Sequence, residues 1–346
     1  MDLIELFFIF LGTAVIVYYG VKLLLFSRML FPKVFFPQPK NFFSSMGEWA
    51  VVTGASEGIG RAYAFEFIIK VKKTKKTFCV LCLCKLHFRL PQLAEQGMNV
   101  VIMSRTKATL DQVAKKIGDT TGRKVKVIVT DFMKENVFGE IEDQLRDLNI
   151  GVLVNNVGML PRVIPCKFLE SAELDQTITK LINCNVKTVA KMCKIILPGM
   201  DNRGKGVILN MSSGVASVPF PLYTLYAASK VFVERFSQAL QAEYKDKGII
   251  IQAVSPFGVS TRMAAYAETS FVTLSPEGFV KSSLQYIRAG DKTHGSICHM
   301  VLGWLLQSIP PKVLCSESML HSLQDYVKKK TAPKSAAQAA FVNKGN

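Results

Sequence analysis

Short apolar runs alternate with longer amphipathic stretches through most of the chain. The runs are rich in Val and Ile, which is typical of strands buried on both faces, and the stretches between them are long enough for helices. Such alternation predicts an α/β fold, with helices covering both faces of a single doubly wound parallel sheet. The predicted strands are Trp49–Thr53, Asn99–Ser104, Val125–Thr130, Gly151–Val154, Gly206–Asn210 and Ile249–Val254.

A different pattern precedes the first strand. Residues Leu6–Val21 carry no charge, and the apolar run continues past Lys22 to Phe26. With the Lys22 ammonium extended toward the headgroups, about 20 apolar residues are available, enough for one transmembrane helix. Asp2, Glu5 and the lack of a small-residue cleavage site favour an anchor over a cleaved signal peptide. The basic residues that follow predict a cytosolic domain under the positive-inside rule, and they are Lys22, Arg28, Lys33 and Lys40.

A glycine-rich segment, Gly54-Ala-Ser56-Glu-Gly58-Ile59-Gly60, connects the first strand to its helix. Glycines allow a tight turn there and let the backbone approach a pyrophosphate at a helix N-terminus. The segment predicts a Rossmann-type dinucleotide site at the carboxyl end of the sheet. Taken alone, it is also compatible with an ordinary glycine-rich turn.

Three residues nearer the C-terminus form a candidate acid/base site. Tyr226 and Lys230 are four residues apart, so on a helix they share one face, and the ammonium is expected to lower the phenol pKa from about 10. Ser213, thirteen residues before Tyr226, follows a predicted strand and can bond the same substrate oxygen. Tyr223 lacks a lysine four residues later, and Ser212 is one position out of register. The pattern predicts interconversion of a carbonyl and an alcohol.

Taken together, these motifs resemble the short-chain dehydrogenase/reductase family over about Met46 to Leu305. Within the family, the chain is most similar to the 17β-hydroxysteroid dehydrogenases of types 3 and 12, and more to the type 3 branch. This implies NADPH-dependent reduction of 17-ketosteroids, of the androstenedione-to-testosterone kind, at the endoplasmic reticulum membrane. The alternative is reduction of very-long-chain 3-oxoacyl-CoA. The resemblance rests on the motifs above and on Asp131, Gly151–Pro161 with Asn155–Gly158, Asn185, Pro219–Lys230 and Ser255–Thr261.

The resemblance also implies a role for each site residue. Tyr226 would donate a proton to the carbonyl oxygen, Lys230 would support Tyr226 and bind the nicotinamide ribose, and Ser213 would bind and orient the substrate carbonyl. Asn185, rather than Asn183, would hold a water of the proton relay. The cofactor-binding residues implied are Gly54, Ser56, Gly58, Ile59, Gly60, Arg105, Asp131, Asn155, Tyr226, Lys230 and Val259.

The end of the second predicted strand indicates the cofactor. An acid at this position bonds the ribose hydroxyls of NAD, whereas a basic residue accommodates the 2′-phosphate of NADP. Arg105 stands there without an acid beside it, which favours NADPH and the direction of reduction. A plain surface arginine is the alternative.

One segment departs from the family pattern. Gly60 and Arg105 are 45 positions apart, where the dinucleotide motif has about 20. The surplus is assigned to Phe67–Gln92, inside the first helix, with six Lys, one Arg, three Cys and no acid. In a rival register, Thr77–Cys84 is itself the second strand. The surplus is either tolerated or produces an inactive isoform, and its Cys79-x-x-Cys82 has no second pair with which to bind a metal.

Length and charge complete the prediction. The 346 residues divide into an anchor and linker (1–45), a dehydrogenase domain (46–310) and a C-terminal segment (311–346) with a disordered tail. Of the net charge of +17, the surplus supplies seven. No basic motif is interleaved with aromatic residues, so anionic lipid and NADPH are expected partners, and nucleic acid is not. The family resemblance implies a homodimer formed through the helices of Asn185 and Tyr226.

Overall fold

The computed structural model describes residues 2–39, 41–68, 97–171 and 173–342, with side chains up to residue 329. Within these residues, seven parallel strands form one sheet in the order β3-β2-β1-β4-β5-β6-β9, and β7 pairs with β8 apart from it. The strands are β1 (Trp49–Thr53), β2 (Asn99–Ser104), β3 (Val125–Val129), β4 (Ile150–Asn155), β5 (Gly206–Met211), β6 (Ile249–Val254), β7 (Gly258–Val259), β8 (Thr273–Leu274) and β9 (Lys292–Thr293).

Helices connect the strands and cover both faces of the sheet. A π-helical turn, Ile182–Lys187, joins two of them. The α-helices are α1 (Leu3–Leu30), α2 (Pro32–Phe35), α3 (Phe42–Met46), α4 (Gly58–Ile68), α5 (Lys107–Thr121), α6 (Phe138–Leu145), α7 (Leu174–Leu181), α8 (Thr188–Arg203), α9 (Thr224–Tyr244), α10 (Pro276–Ser283), α11 (Ile297–Ser308), α12 (Pro311–Leu314) and α13 (Glu317–Val342).

The doubly wound parallel sheet predicted from the apolar runs is confirmed. All six predicted strands are present, and β1, β2 and β6 have the bounds predicted. Strand β2 pairs with β1 in register from Trp49↔Asn99 to Thr53↔Met103, which settles the second strand in favour of Asn99–Ser104. The rival, Thr77–Cys84, lies outside the described residues. Strands β7, β8 and β9 were not predicted because two residues are too few to establish a periodicity.

Alternate residues of the central strands face two separate cores. Ala50 and Val52 of β1 belong to a cluster with α3, α4, α5 and α10. Val51, on the opposite face, packs in a cluster with α6 and α8. Because both faces are covered, the edge at the carboxyl ends of the strands is where a ligand can reach the sheet.

The first two residues of the predicted surplus segment are part of α4. Phe67 and Ile68 belong to α4 and are fully buried, and the Phe67 ring centroid lies 5.2 Å from that of Phe43. The Met98 N–H donates to the Phe67 carbonyl at 3.2 Å, so the chain resumes beside the point where the described part of α4 ends. The rest of the surplus segment, residues 69–92, lies outside the described residues, so its assignment to Phe67–Gln92 stays a prediction.

The two ends of the chain are helical. Among the described residues, α1 is the one helix long and apolar enough to cross a membrane, with a mean hydropathy of 2.0, which is a statement about length and composition only. At 28 residues it is about 42 Å long, more than the ~30 Å hydrocarbon thickness of a bilayer. The tail predicted to be disordered instead continues α13 through Val342. Its alanines and lysines are strong helix formers, which accounts for the difference.

Candidate active site

The glycine segment forms a tight turn between β1 and the first turn of α4. Gly54 and Gly58 have φ angles of +67° and +58°, in the left-handed region that favours glycine. A Cβ on Gly60 would lie 2.3 Å from the Gly54 carbonyl oxygen, so no larger residue fits there. The turn leaves the N-terminus of α4 open at the edge of the sheet, where backbone N–H groups and the helix dipole favour a phosphate.

Thr53 and Asn156 hold this turn against β4. The Thr53 hydroxyl accepts hydrogen bonds from the Asn156 and Val157 N–H groups, both at 3.0 Å. The Asn156 amide donates to the carbonyls of Thr53 at 3.0 Å and Gly54 at 3.2 Å. Sequence reasoning quoted Asn156 only as part of a family motif, and its position directly after a strand is the signal that could have identified this structural role.

The side chain of Asn155, a predicted cofactor-binding residue, is buried. It is 1% exposed, and its amide donates to Asn210 Oδ1 at 2.9 Å and contacts Cys193 Sγ at 3.5 Å, inside the sheet. The Asn155 side chain therefore points into the protein, and a contact of this residue with the cofactor stays a prediction. Only the backbone of Asn155 is left to meet a ligand, because an inward side chain at the end of a buried strand serves the core.

The ends of β2 and β3 supply the polar groups beside the turn. The Ser104 hydroxyl donates to Ser56 Oγ at 3.0 Å, and Asp131 Oδ1 accepts the Met133 N–H at 3.1 Å. Arg105 is exposed, and in the described part of the chain its guanidinium forms no salt bridge; its nearest polar contact is Met133 Sδ at 3.9 Å. An exposed guanidinium without a carboxylate partner suits a phosphate monoester, as the prediction for Arg105 requires.

Two further predicted residues lie around the same turn. Ile59, in the first turn of α4, is partly buried and packs against the hydrophobic core. Val259, in β7, is 5% exposed, and two residues later Thr261 Cγ2 would lie 3.0 Å from a Cβ on Gly58. The segment after β6 thus borders the glycine turn on the side away from Arg105.

Tyr226, Lys230 and Ser213 come together at the carboxyl end of the sheet. Tyr226 and Lys230 are one turn apart on α9, with the Lys230 ammonium 5.7 Å from the Tyr226 ring centroid. Lys230 Nζ also donates to the Met211 carbonyl at 2.9 Å, at the end of β5. A Cβ on Gly158 would lie 3.2 Å from Lys230 Nζ, so a larger residue there would crowd the ammonium.

Burial controls the ionisation of the pair. Desolvation raises the pKa of Tyr226, and a hydrogen bond with Ser213 opposes this rise. Desolvation also lowers the pKa of Lys230 to about 8, against a smaller opposing effect of Cys184. The sequence-based expectation of a lowered Tyr226 pKa is therefore wrong, because desolvation outweighs the favourable contacts. At neutral pH the arrangement holds a protonated phenol beside an ammonium.

Asn185 is placed by the π-helical turn, a feature often found at functional sites. Its Oδ1 accepts the Met159 N–H at 2.8 Å, and its amide donates to the Met159 carbonyl at 3.0 Å and to Ser229 Oγ at 3.1 Å. Its Oδ1 would lie 3.5 Å from a Cβ on Gly158, beside the Lys230 ammonium. The amide of Asn183 instead bonds the Met133 carbonyl. The preference for Asn185 thus agrees with the placement of the two side chains.

A buried polar network lies behind Lys230. Ser212 Oγ donates to the Lys230 carbonyl at 2.8 Å, so the hydroxyl of Ser212, the weaker serine candidate, is bonded to the backbone of α9. Glu234 is 6% exposed and accepts hydrogen bonds from Ser255 Oγ at 2.6 Å and Lys292 Nζ at 2.7 Å. Sequence reasoning missed Glu234, although its place four residues after Lys230 on the same helix face was the available signal.

A cleft opens next to Tyr226. The Tyr223 hydroxyl donates to the Val163 carbonyl at 2.6 Å, and Gln324 of α13 donates to the Pro165 carbonyl at 3.1 Å, so both hold one wall in place. Residues 222–225, at the start of α9 and just before it, are among the residues lining the cleft. The lining residues are Pro161, Arg162, Ile164, Cys166, Lys167, Phe168, Ser171, Leu174, Thr177, Leu222, Tyr223, Thr224, Leu225 and Tyr226.

Comparison with known proteins agrees with this geometry. The profile of the short chain dehydrogenases matches residues 90–270, more than half of the chain. The chain belongs to the short-chain dehydrogenase family. Its similarity to the 17-beta-hydroxysteroid dehydrogenase type 3 of Danio rerio is 52% identity, covering 95% of this chain and 98% of the relative. It is also 41% identical to the very-long-chain 3-oxoacyl-CoA reductase of Anas platyrhynchos, covering 84% of this chain and 85% of that protein.

Solved structures of this family share the fold. A short-chain dehydrogenase from Sphingobium yanoikuyae, in complex with NADPH, has 25% identity and a TM-score of 0.59. It is matched over 96% of its own length and 76% of this chain. The bulky-bulky ketone specific alcohol dehydrogenase from Comamonas testosteroni has 26% identity and a TM-score of 0.58, over 95% of its length and 76% of this chain.

Proposed function

We propose that this short-chain dehydrogenase is a membrane-anchored, NADPH-dependent reductase of 17-ketosteroids, forming 17β-hydroxysteroids. The observation that carries the proposal is the meeting of Tyr226, Lys230 and Ser213, with Tyr226 lining a mainly apolar cleft. Relatives named 17-beta-hydroxysteroid dehydrogenase type 3, at 43–52% identity in fish, rat and human, support the choice of substrate.

The residues present fit a dinucleotide carrying a 2′-phosphate. The turn from Gly54 to Gly60, with Ser56 and Ile59, would hold the pyrophosphate; Arg105 would bind the 2′-phosphate and Asp131 the adenine. Lys230 and Tyr226 would hold the nicotinamide ribose, with Val259 on the far side. NADPH, when bound, supplies the hydride. Two observations support this assignment. The Arg105 guanidinium is exposed and has no carboxylate partner among the described residues, and the glycine turn leaves no room for a Cβ at Gly60.

The side chains divide the remaining chemistry between them. Tyr226 holds its proton at neutral pH, because burial raises its pKa, and donates it to the carbonyl oxygen of the substrate. Ser213 orients that oxygen. Lys230 remains an ammonium below about pH 8 and stabilises charge on the phenol oxygen as its proton leaves. Asn185, fixed by Met159 and Ser229, would hold a water that returns a proton to the site.

Reduction of a 3-oxoacyl-CoA is a second candidate, favoured by one observation. Arg162 and Lys167 are exposed at the cleft, where they could bind the phosphates of coenzyme A. Relatives named very-long-chain 3-oxoacyl-CoA reductase have lower identity, about 40%, but the same candidate acid/base site serves either ketone. The steroid is preferred because most of the cleft lining is apolar.

The setting of the enzyme is also proposed. The uncharged span of α1 and the basic residues after it support an endoplasmic reticulum anchor with the catalytic domain, residues 46–310, in the cytosol. The anchor and linker are then residues 1–45, and residues 311–346 form the C-terminal segment. A homodimer through the helices of Asn185 and Tyr226 is supported by Val231 and Phe232, which α9 exposes at 39% and 37%.

The decisive experiment follows NADPH oxidation by full-length protein in detergent, with androstenedione and, separately, a long-chain 3-oxoacyl-CoA. Two deletions serve as matched controls: one removes residues 67–92, and the other removes residues 69–94 and keeps the buried Phe67 and Ile68. Steroid turnover by the full chain supports the proposal. Turnover of the acyl-CoA alone rejects the steroid as substrate, and an R162E/K167E variant should then lose the acyl-CoA activity. Activity only after deletion identifies an inactive isoform.

A further inference from the structure

The C-terminal end of α1 is fixed on the catalytic domain. The Tyr286 hydroxyl donates to the Met29 carbonyl at 3.1 Å, and the Arg288 guanidinium donates to the Pro37 carbonyl at 2.8 Å. Between these two contacts Pro32 is buried. Because the hydrogen bonds start at the last turn of α1, the depth of α1 in a bilayer also sets the height of the domain above it.

The charges of α1 determine that depth. A hydrocarbon core of about 30 Å takes about 20 helical residues at 1.5 Å each. Counted from Leu6, the first residue after Glu5, this length ends near Leu25. Phe26 and the turn that follows it, which carries Arg28, then lie at the level of the lipid headgroups.

Helix α11 presents an apolar face at the same level. The Trp304 ring centroid lies 6.4 Å from that of Phe26. Trp304 is 55% exposed and Leu305 is 49% exposed, whereas His299 and Gly303 face the protein interior. All twelve residues of α11 lack a charged carboxylate, ammonium or guanidinium group. An exposed tryptophan on such a helix is unusual for a surface that faces only water.

Helix α2 adds apolar side chains next to the same end of α1. Phe31, just before the helix, is 58% exposed, Val34 is 72% exposed and Phe35 is 44% exposed. We define the apolar patch as these three residues with Trp304 and Leu305. It surrounds the end of α1 on two sides, and Lys33 and Lys312 are exposed on the short helices next to it.

We propose that the apolar patch is a second membrane contact, seated at the boundary between headgroups and acyl chains of the bilayer that α1 crosses. The proposal rests on the membrane anchor of the proposed function. The occupant is lipid rather than a protein, because the patch is continuous with α1: a bilayer whose headgroups lie at Phe26 must also meet the Trp304 ring. Tryptophan is favoured at that depth, and neighbouring lysines favour anionic headgroups. The contact would hold the domain in one orientation on the membrane.

The chain contains two tryptophans, Trp49 and Trp304, which allows a matched test. Trp49 starts β1 and packs against the core. W49F leaves Trp304 as the reporter, and W304F leaves Trp49. Each full-length variant is reconstituted into phosphatidylcholine–phosphatidylserine vesicles with brominated acyl chains. We expect strong quenching of Trp304, greater with bromine near the headgroups than at the bilayer centre, and little quenching of Trp49.

Alkaline carbonate extraction of the same vesicles reports separately on α1. If the protein is retained in the vesicles but Trp304 is not quenched, the second membrane contact is overturned, whereas the anchor and the proposed function still stand. A chain that is washed off overturns both the anchor and the contact. A second copy covering the patch would leave Trp304 unquenched by lipid and also shielded from aqueous iodide, which likewise overturns the proposal.

Discussion

The pH dependence of cofactor capture should report the buried lysine. Lys230 has a pKa lowered to about 8 by desolvation, against an ordinary value of about 10.4. A lowered lysine pKa means that the ammonium is lost as pH rises through about 8. From pH 7 to pH 9 its charged fraction should fall from about 0.9 to about 0.1. The burial-raised pKa of Tyr226 keeps the phenol protonated over this interval.

The assay is kcat/KM for NADPH at saturating ketone, because this ratio reports ionisations of the free enzyme. It should fall by roughly tenfold between pH 7 and pH 9, if only the ammonium form binds and reacts productively. Lys230→Arg is the control, since a guanidinium keeps its charge throughout; its lower activity should not decline over the same interval. A wild-type profile that is flat to pH 9 would refute the reasoning, because an ordinary lysine gives that profile.

Three further predictions follow from the same site. Tyr226→Phe should lower kcat by about 10²–10⁴-fold and, in a fluorescence titration, weaken NADPH binding only by the loss of one ribose hydrogen bond, about 0.5–1.5 kcal/mol; retained activity would exclude Tyr226 as the acid. Arg105→Gln should weaken NADPH binding by about 1.5–3 kcal/mol and NADH binding hardly at all; equal loss for both would remove its role at the 2′-phosphate. Glu234→Gln should destabilise the fold by about 1–3 kcal/mol in thermal unfolding, with Lys292→Gln as its partner control, and an unchanged melting temperature would contradict the network.

The fold was predictable because each central strand is a short apolar run buried on both faces. Such runs need no tertiary information to be recognised, and β1, β2 and β6 have the predicted bounds. The spacing of Tyr226 and Lys230 was equally informative, since four residues on a helix define a shared face. The short strand β9 was not predictable, because its two residues pair only after β6 is in place.

The directions of side chains and their desolvation could not be predicted from the sequence. Asn155 reads like a ligand because it follows a strand at the carboxyl edge, yet its amide bonds Asn210 inside the sheet. The pKa of Tyr226 depends on how deeply the folded protein buries the phenol, which residue spacing along a helix does not reveal. Glu234 was overlooked for the same reason: its partners Ser255 and Lys292 come from other elements of the fold.

The described residues on either side of the surplus segment favour an active enzyme over a disabled one. The described part of α4 keeps eleven residues, so about 15 Å separates Ile68 from the glycine turn at Gly58. The chain resumes at Gly97, before the first residue of β2, which is the amino end of a parallel strand. Every candidate catalytic residue lies at the opposite, carboxyl edge of the sheet. The Met98 N–H donates to the Phe67 carbonyl at 3.2 Å, so the described residues before 69 and after 96 lie next to each other. Loops that leave and rejoin a fold at neighbouring points cost little stability as they lengthen, so the phosphate-binding turn can form whether or not the surplus is present.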